Sequence, residues 1–269
     1  MMFPIVSSCA GNIQSTKAKK FKWPLQSFVK IENLIYKMKC TPDDVEDLNS
    51  ECYAPRGGST GSGAVVGRTK TGSYVITAGH ICERGGEKIE SIESIVIPDN
   101  TNKQKHITRN FFFVYDWDYF KYSAEVLDID NEEDLCLLHV WGLFAKPLYL
   151  SKKRPKRGDK VYSMAAPGGI FQKNTAPLFE GLFSGMYNHY EFDKKAMYTM
   201  PVLGGMSGAA IMNEKGALVG VISAGYIRFH HIMLGTRYSP TIRFILRNVK
   251  RDMKIRGREA KDSKAVRFK

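Results

Sequence analysis

The chain has 269 residues, of which 43% are hydrophobic, and its formal net charge is +13 at pH 7. This length suits a single all-β domain of roughly 200 to 250 residues with a sizeable core. The sequence contains no apolar run of about 18 residues, which excludes a transmembrane helix.

The basic residues are concentrated at the two ends of the chain, in 1–22 and 240–269, and the body between them is nearly neutral. This distribution favours an enzyme with two basic arms over a domain with a basic binding face. Basic arms attract phosphate or anionic lipid, so nucleic acid or an anionic surface is an expected partner of the tails. Solubility and disorder alone would explain the same charge, and no aromatic-basic interleaving indicates a nucleic-acid motif.

The cysteines are odd in number and irregularly spaced, which is not the pattern of a disulfide framework. No two of them have the spacing of metal ligands, and we expect neither a metal nor an organic cofactor. An intracellular, reducing compartment, such as a host cytoplasm or a virion, is therefore favoured. An exported lipoprotein is less favoured, because the apolar stretch before Cys9 is too short and no basic residue precedes it. We expect reduced thiols at all five positions: Cys9, Cys40, Cys52, Cys82 and Cys136.

Residues 1–54 are predicted to form a basic N-terminal tail and a short helical segment. Residues 56–61, rich in glycine and serine, are predicted to form a flexible loop. The helix is indicated by apolar residues at steps of three and four, namely Phe28, Ile31, Leu34, Ile35 and Met38.

The rest of the chain is dominated by short β-like runs between turn signals, which predict a sandwich or a barrel. Ser239 and Pro240 resemble an N-cap and a first-turn proline, so we expect a C-terminal helix at about 240–252 and a basic tail at 251–269. We expect strands at 64–67, 74–77, 94–97, 124–129, 135–140, 160–164, 178–186, 197–200, 209–212 and 217–223.

Two segments carry a histidine and an acid at the ends of apolar runs. Small residues separate the strand at 74–77 from His80, which allows a sharp turn and leaves the imidazole facing a cleft. Asp134 stands directly before an apolar run, where a carboxylate can accept a hydrogen bond from an imidazole and fix its tautomer. Asp128 and Asp130 lie nearby, but neither is followed by such a run.

A third segment, residues 204–210, surrounds Ser207 with glycines. Glycines let a loop curl so that successive backbone N–H groups point to one place. The N–H groups of Gly205 and Ser207 could then stabilise a tetrahedral oxyanion. Glycine-serine loops are common, so this segment indicates a catalytic serine only in combination with the other two segments.

The chain resembles the chymotrypsin superfamily of serine proteases in three motifs that occur in the same order. They are Thr-Ala-Gly-His at 77–80, Asp-Leu-x-Leu-Leu at 134–138 and Gly-x-Ser-Gly at 205–208. In addition, residues 157–169 resemble the start of the second barrel of HtrA-type proteases, and 218–225 resemble the strand that lines the substrate cleft.

The resemblance covers about 55–250 and implies two six-stranded antiparallel β-barrels with the active site in the cleft between them. The first barrel would span about 55–150 and the second about 151–240. The chain departs from the family pattern at Ala209, where glycine is usual. It also has no cysteine in 64–67 to pair with Cys82, and too few residues remain for a PDZ domain.

The resemblance implies a serine endopeptidase that acts on a protein or peptide, and the processing of viral or bacterial proteins is an expected role. Ser207 would be the nucleophile, His80 the general base and Asp134 the residue that orients it, while Gly205 and Ser207 would form the oxyanion hole. Two alternatives stay open. One is a catalytically inactive scaffold with this fold, and the other is a nucleic-acid- or virion-associated binding protein.

The resemblance also places the substrate pocket. No acid stands near the expected floor at Pro201, which disfavours cleavage after Lys or Arg. Viral relatives that cut after Gln or Glu carry a histidine where this chain has Ile222 and a hydroxyl near Val202, and both are absent. A small or apolar residue before the cleaved bond is the remaining expectation. The pocket walls are Pro201, Val202, Leu203, Ser223, Ala224 and Gly225.

Overall fold

The computed structural model describes residues 20–38, 53–83, 107–189, 192–225, 229, 231–255 and 267–268. Most of these residues are in strands. In chain order the elements are β1 (Phe28–Met38), β2 (Tyr53–Arg68), β3 (Gly72–Thr77), α1 (Gly79–Glu83), β4 (Ile107–Tyr115), β5 (Lys121–Asp130), β6 (Leu135–Trp141), β7 (Tyr149–Leu150), β8 (Lys160–Met164), β9 (Leu178–His189), β10 (Phe192–Tyr198), β11 (Ala210–Asn213), β12 (Ala217–Gly225), β13 (Met233–Gly235), α2 (Tyr238–Ile255) and β14 (Arg267–Phe268).

The first six strands close into an antiparallel barrel in the order β1-β2-β3-β6-β5-β4. Alternate residues of a strand face the same side of the sheet, so each strand can send a row of apolar side chains into the barrel. The buried interior includes Val29, Ile31, Val65, Val75, Val114, Leu138 and Val140.

A second barrel is formed by β8 to β13 in the order β11-β8-β9-β10-β13-β12, and pairing between β11 and β12 completes the ring. Outside the ring, β7 pairs with β12 and β14 pairs with β7, both in parallel. The buried interior of this barrel includes Val161, Tyr198, Met206, Ile211, Val219 and Ile222.

A third apolar cluster joins the two barrels and α2. It contains Tyr74 from the first barrel, Met212 from the second and Phe244 from the helix, and the Tyr74 hydroxyl donates a hydrogen bond of 2.8 Å to Asp252 of α2. The architecture confirms the predicted all-β fold of two six-stranded barrels followed by a helix. Within the part of the chain that the structure describes, no helix is long and apolar enough to cross a membrane.

The helix predicted from the spacing of Phe28 to Met38 is wrong, because these residues form strand β1. β1 pairs with β2 on one side and with β4 on the other. Apolar residues on both faces of such a strand obscure the two-residue alternation and can imitate helical spacing. The first barrel therefore begins at Phe28.

The flexible loop predicted at 56–61 is also wrong, because this segment belongs to β2 and pairs with β1. The glycines allow neighbouring groups to approach the strand closely and do not form a turn. A Cβ atom on Gly58 would lie 2.7 Å from the carbonyl oxygen of Asn33, and one on Gly61 would lie 2.9 Å from the Ile81 side chain.

Most of the other predicted strands coincide with or overlap observed ones. The run at 197–200 overlaps β10 by two residues, and the run at 94–97 lies outside the described residues. β4, β7, β13 and β14 are not among the predicted strands. α2 begins at Tyr238 and ends at Ile255, so Ser239 lies inside the helix rather than at its N-cap. The predicted start of the first barrel at about residue 55 is too late, because β1 belongs to that barrel. The predicted limits of the two tails stay predictions.

The expectation of five reduced thiols is wrong for two cysteines, because Cys82 and Cys136 form a disulfide. The partner of Cys82 comes from β6 and not from the strand at 64–67. Each cysteine lies two residues after a motif residue, Cys82 after His80 and Cys136 after Asp134. The inference of a reducing compartment rests on free thiols, and this bond removes two of them. Cys9, Cys40 and Cys52 lie outside the described residues.

We predict that the double variant Cys82→Ala/Cys136→Ala loses about 2 to 5 kcal/mol of unfolding free energy, because the disulfide restricts the unfolded chain. Denaturant unfolding with and without dithiothreitol measures the effect. The variant should not respond to the reductant, whereas the wild type should. Identical unfolding midpoints of the wild type in both conditions, with no linked peptide in non-reducing mass spectrometry, would contradict the prediction.

Candidate active site

His80 lies on the short helix α1, directly after the fully buried strand β3. Its ring Nδ1 lies 2.9 Å from Oδ2 and 3.0 Å from Oδ1 of Asp134, and its backbone N–H donates to Oδ1 at 2.8 Å. The structure thus brings together two predicted site residues that are 54 positions apart. The His80 side chain is 34% exposed and that of Asp134 only 17%, so the ring can reach a substrate while the acid stays covered.

Asp134 ends the turn between β5 and β6 in a left-handed backbone conformation, with φ of 59°. Such a conformation is uncommon for a residue other than glycine. The approach of the His80 segment is made possible by Gly79, since a Cβ there would lie 3.1 Å from the Leu135 nitrogen and 3.2 Å from Oδ1 of Asp134. The position of the carboxylate therefore depends on the backbone conformation of both segments, at Asp134 and at Gly79.

Three hydrogen-bond donors converge on the Asp134 carboxylate. Besides the ring and backbone of His80, the Ser223 hydroxyl donates to Oδ2 at 2.6 Å. Burial alone would raise the pKa of Asp134, but the hydrogen bond and charge of His80, together with the Ser223 and backbone hydrogen bonds, outweigh burial and lower that pKa below its usual range. An ionised carboxylate only accepts hydrogen bonds, so Nδ1 of His80 carries the hydrogen and Nε2 is left as an acceptor when the ring is neutral.

Charged side chains of the second half of the chain hold the turn that precedes Asp134. The Arg237 guanidinium contacts the carboxylates of Glu133 and, at 3.2 Å, of Glu132. The Lys195 ammonium donates to the Glu132 carbonyl oxygen at 3.3 Å. Glu133 is almost completely buried, and removing one partner of a buried ion pair is costly. These contacts anchor the turn from the side of the second barrel.

Ser207 lies in the loop between β10 and β11. Gly168 donates to the carbonyl of Gly204 at 2.6 Å, and Ala209 donates to that of Met206 at 3.0 Å. The C=O and N–H of a planar trans peptide point in opposite directions, so the N–H groups of Gly205 and Ser207 face away from these donors. Neither N–H donates a hydrogen bond within the described part of the chain. Both N–H groups thus have no partner among the described residues, and their role as oxyanion donors stays a prediction.

The loop around Ser207 packs directly on the segment that leads to His80. A Cβ on Gly208 would lie 2.0 Å from Oγ1 of Thr77 and 2.9 Å from the Ala78 nitrogen. Ser207 and His80 are both described, and no hydrogen bond joins the hydroxyl to the ring. Catalytic hydrogen bonds are often long before substrate binds, and the role of Ser207 stays a prediction. Ala209, the departure from the family pattern, is fully buried in the second barrel, so its methyl group is accommodated.

The two predicted walls of the substrate pocket touch each other. A Cβ on Gly225 would lie 2.3 Å from a methyl carbon of Val202, so the valine side chain occupies the space beside the glycine. Pro201 and Ala224 are partly buried, and Leu203 is exposed. Residues 226–228, which follow this wall, lie outside the described residues.

The Ser223 hydroxyl is directed to Asp134 and the residue is only 6% exposed, and its place in the pocket wall stays a prediction. No local sequence signal marks this contact, which joins residues 89 positions apart. Among the described residues, no group of three or more His, Cys, Asp or Glu side chains could hold a metal ion.

Two antiparallel barrels with a His–Asp pair and a glycine-rich serine loop at their seam define the class of chymotrypsin-like proteins. Residues 61–221 match the family model of the trypsin-like peptidase domain, which is more than half of the chain. The protein therefore belongs to the trypsin-like peptidase family. None of the curated proteins matches the sequence.

Solved structures agree in fold. The Rv3671c protease of M. tuberculosis in its active form is 19% identical, with a TM-score of 0.53 over 80% of this chain and 78% of that one. The HtrA-type protease AlgW with a decapeptide is 15% identical, with a TM-score of 0.59 over 84% and 65%. A serine endoprotease of Yersinia pestis is 15% identical, with a TM-score of 0.55 over 84% and 64%. The chain thus spans a little under two thirds of the last two proteins.

We predict that Ser223→Ala lowers the unfolding free energy by about 1 to 3 kcal/mol near pH 7, because a hydrogen bond to a charged group is lost. Asp134 has a lowered pKa in the folded protein. Its ionised form therefore stabilises the fold above its ordinary pKa of about 3.9, and that contribution is lost as the pH falls further. The difference between wild type and variant should shrink as the pH falls through the lowered pKa of folded Asp134, as measured by urea unfolding across pH.

Ser163→Ala is the matched control for this experiment. Ser163 is fully buried on β8, and its hydroxyl has no hydrogen-bond partner among the described residues. Its removal should change stability equally at every pH. A Ser223→Ala effect that is as independent of pH as that of the control would contradict a role for Ser223 in holding the ionised acid.

Proposed function

We propose that the protein is a serine endopeptidase. Ser207 Oγ attacks the scissile carbonyl, His80 takes its proton and later gives it to the leaving amine, and Asp134 orients the ring and stabilises the imidazolium. The N–H groups of Gly205 and Ser207 bind the oxyanion of the tetrahedral intermediate. The intermediate then collapses to an acyl-enzyme that water hydrolyses.

The observation that carries this proposal is the contact between the His80 ring and the Asp134 carboxylate, with Nδ1 and Oδ2 2.9 Å apart. A general base needs one ring nitrogen fixed and the other free for the nucleophile. The contact supports such a tautomer, and the packing of Gly208 on Thr77 brings the serine loop beside it. A catalytically inactive scaffold would not need the ring, the carboxylate and two unused N–H groups at one seam.

We further propose that the enzyme prefers a small apolar residue before the cleaved bond. Val202 packs against Gly225, which leaves little depth between the two walls. Neither wall offers a charged group, so a charged substrate side chain would lose its hydration without compensation.

The basic ends are proposed as a secondary contact for polyanions. Within the described part of α2, Arg247 and Arg251 lie 3.6 and 3.5 Å from Asp128 of β5, so part of the helix charge is used inside the fold. This interaction would accompany peptidase activity rather than replace it.

We predict that Ser207→Ala and His80→Ala each reduce kcat by about 10⁴- to 10⁶-fold without loss of folding, since each removes an essential group of one catalytic unit. Peptide turnover and labelling by a fluorophosphonate probe measure the effect. Ser163→Ala should be labelled as the wild type is. Equal labelling of Ser207→Ala and the wild type would show that Ser207 is not the nucleophile.

We predict that Val202→Ala shifts the preference toward larger apolar residues before the cleaved bond, because removal of two methyl groups opens the pocket. The ratio of kcat/KM for a leucine peptide over an alanine peptide should rise roughly 10-fold. Cleavage-site profiling of wild type and variant on one peptide mixture measures the shift. Leu246→Ala, at an exposed position of α2, serves as the comparison. An unchanged ratio in Val202→Ala would mean that the pocket lies elsewhere.

A further inference from the structure

Ser62, on strand β2 of the first barrel, is completely buried and uses all of its polar groups. Its backbone N–H donates to the carbonyl of Ser207 at 2.8 Å. Its hydroxyl donates to the carbonyl of Gly205 at 2.8 Å and accepts from the N–H of Ala166 at 2.9 Å. Its own carbonyl accepts from the Thr77 hydroxyl at 2.8 Å.

These four hydrogen bonds join segments from both barrels. Ser62 and Thr77 belong to β2 and β3, whereas Ala166 and Gly205 belong to loops of the second barrel. The direction of the network is fixed, because the Ala166 N–H can only donate and the Gly205 carbonyl can only accept. The single hydrogen of the Ser62 hydroxyl is therefore committed to Gly205.

The loop that contains Ser207 has little rigidity of its own, because glycine restricts the backbone least. Gly205 has φ of 90°, and a Cβ there would lie 2.4 Å from the carbonyl oxygen of Ala166. The loop is thus pressed onto the turn at 166–169. Contacts with other segments of the chain, rather than the backbone preferences of the loop itself, hold the peptide groups that lie on both sides of the proposed oxyanion donors.

We propose that Ser62 is a positioning residue, which holds the loop of Ser207 in the conformation that presents the two N–H groups to the substrate. This proposal rests on the peptidase function proposed above. The hydroxyl does not touch the substrate. It fixes the Gly205 carbonyl and, through Ala166, the turn against which the loop packs.

The same contacts would exist if Ser62 only stabilised the fold. A structural role and a positioning role differ in the properties that a substitution of Ser62 would change. A structural role lowers stability and leaves the activity of the folded fraction intact. A positioning role weakens stabilisation of the oxyanion, which develops only in the transition state. It therefore lowers kcat and the affinity for a tetrahedral analogue while KM changes little.

The test compares Ser62→Ala with Ser163→Ala, which also removes a buried hydroxyl but one that has no partner among the described residues. Each full-length variant is assayed below its unfolding transition on a peptide substrate identified by cleavage-site profiling. The boronic acid of the same peptide serves as the tetrahedral analogue. Ser62→Cys is the second variant, since a thiol fills the site but is a weak donor, and it takes the place of Ser62→Ala if the latter does not fold.

We expect Ser62→Ala to lower kcat about 10- to 100-fold relative to Ser163→Ala, with a parallel loss of boronate affinity and a KM within about threefold. Ser62→Cys should lie between them. Equal kcat and boronate affinity in the Ser62 and Ser163 variants would overturn the positioning role while leaving the peptidase function intact. A wild type that neither cleaves peptides nor reacts with a fluorophosphonate would overturn both proposals.

Discussion

The structure depends most on the contact between the His80 ring and the Asp134 carboxylate. Burying a carboxylate costs free energy unless its oxygens are hydrogen-bonded, and here three donors converge on it, from the ring, from the His80 backbone and from Ser223. The first barrel supplies the histidine and the acid, and the second supplies the serine hydroxyl. The first barrel thus supplies most of the interactions that favour the ionised form of Asp134, and the docking of the second barrel adds one more hydrogen bond.

Other contacts across the seam follow the same principle. Arg237 and Lys195 hold the turn before the acid, and Ser62 holds the loop of the proposed nucleophile. Each of these contacts would be lost if the barrels separated, so together they favour a single docked arrangement. The site is thus a property of the interface between the barrels, and neither barrel alone contains it.

The three motifs could be predicted from sequence because each depends on local composition, such as an acid before an apolar run or glycines around a serine. The strand β1 could not be predicted, because it has apolar residues on both faces: Phe28 lies in the cluster between the barrels, and Val29 and Ile31 lie inside the first barrel. The partner of Cys82 is fixed by the pairing of β3 with β6, which no cysteine spacing reveals. The hydroxyls of Ser62 and Ser223 act on groups 143 and 89 residues away, so their roles depend on tertiary structure alone.

Glycine occurs both in the regular strand β2 and in the loop of Ser207, although its presence in a sequence predicts a flexible loop. In β2, Gly58 and Gly61 permit two strands and a side chain to approach closely, and the segment from Gly57 to Ala64 pairs with β1 in unbroken register. In the loop of Ser207, Gly205 and Gly208 also lie against backbone atoms of other segments. Flexibility in the unfolded chain is therefore compatible with a fixed geometry in the folded one, provided that surrounding groups bind the peptide units. A proposed oxyanion hole made of main-chain N–H groups requires this arrangement, because no side chain can be mutated or repositioned to supply the donors.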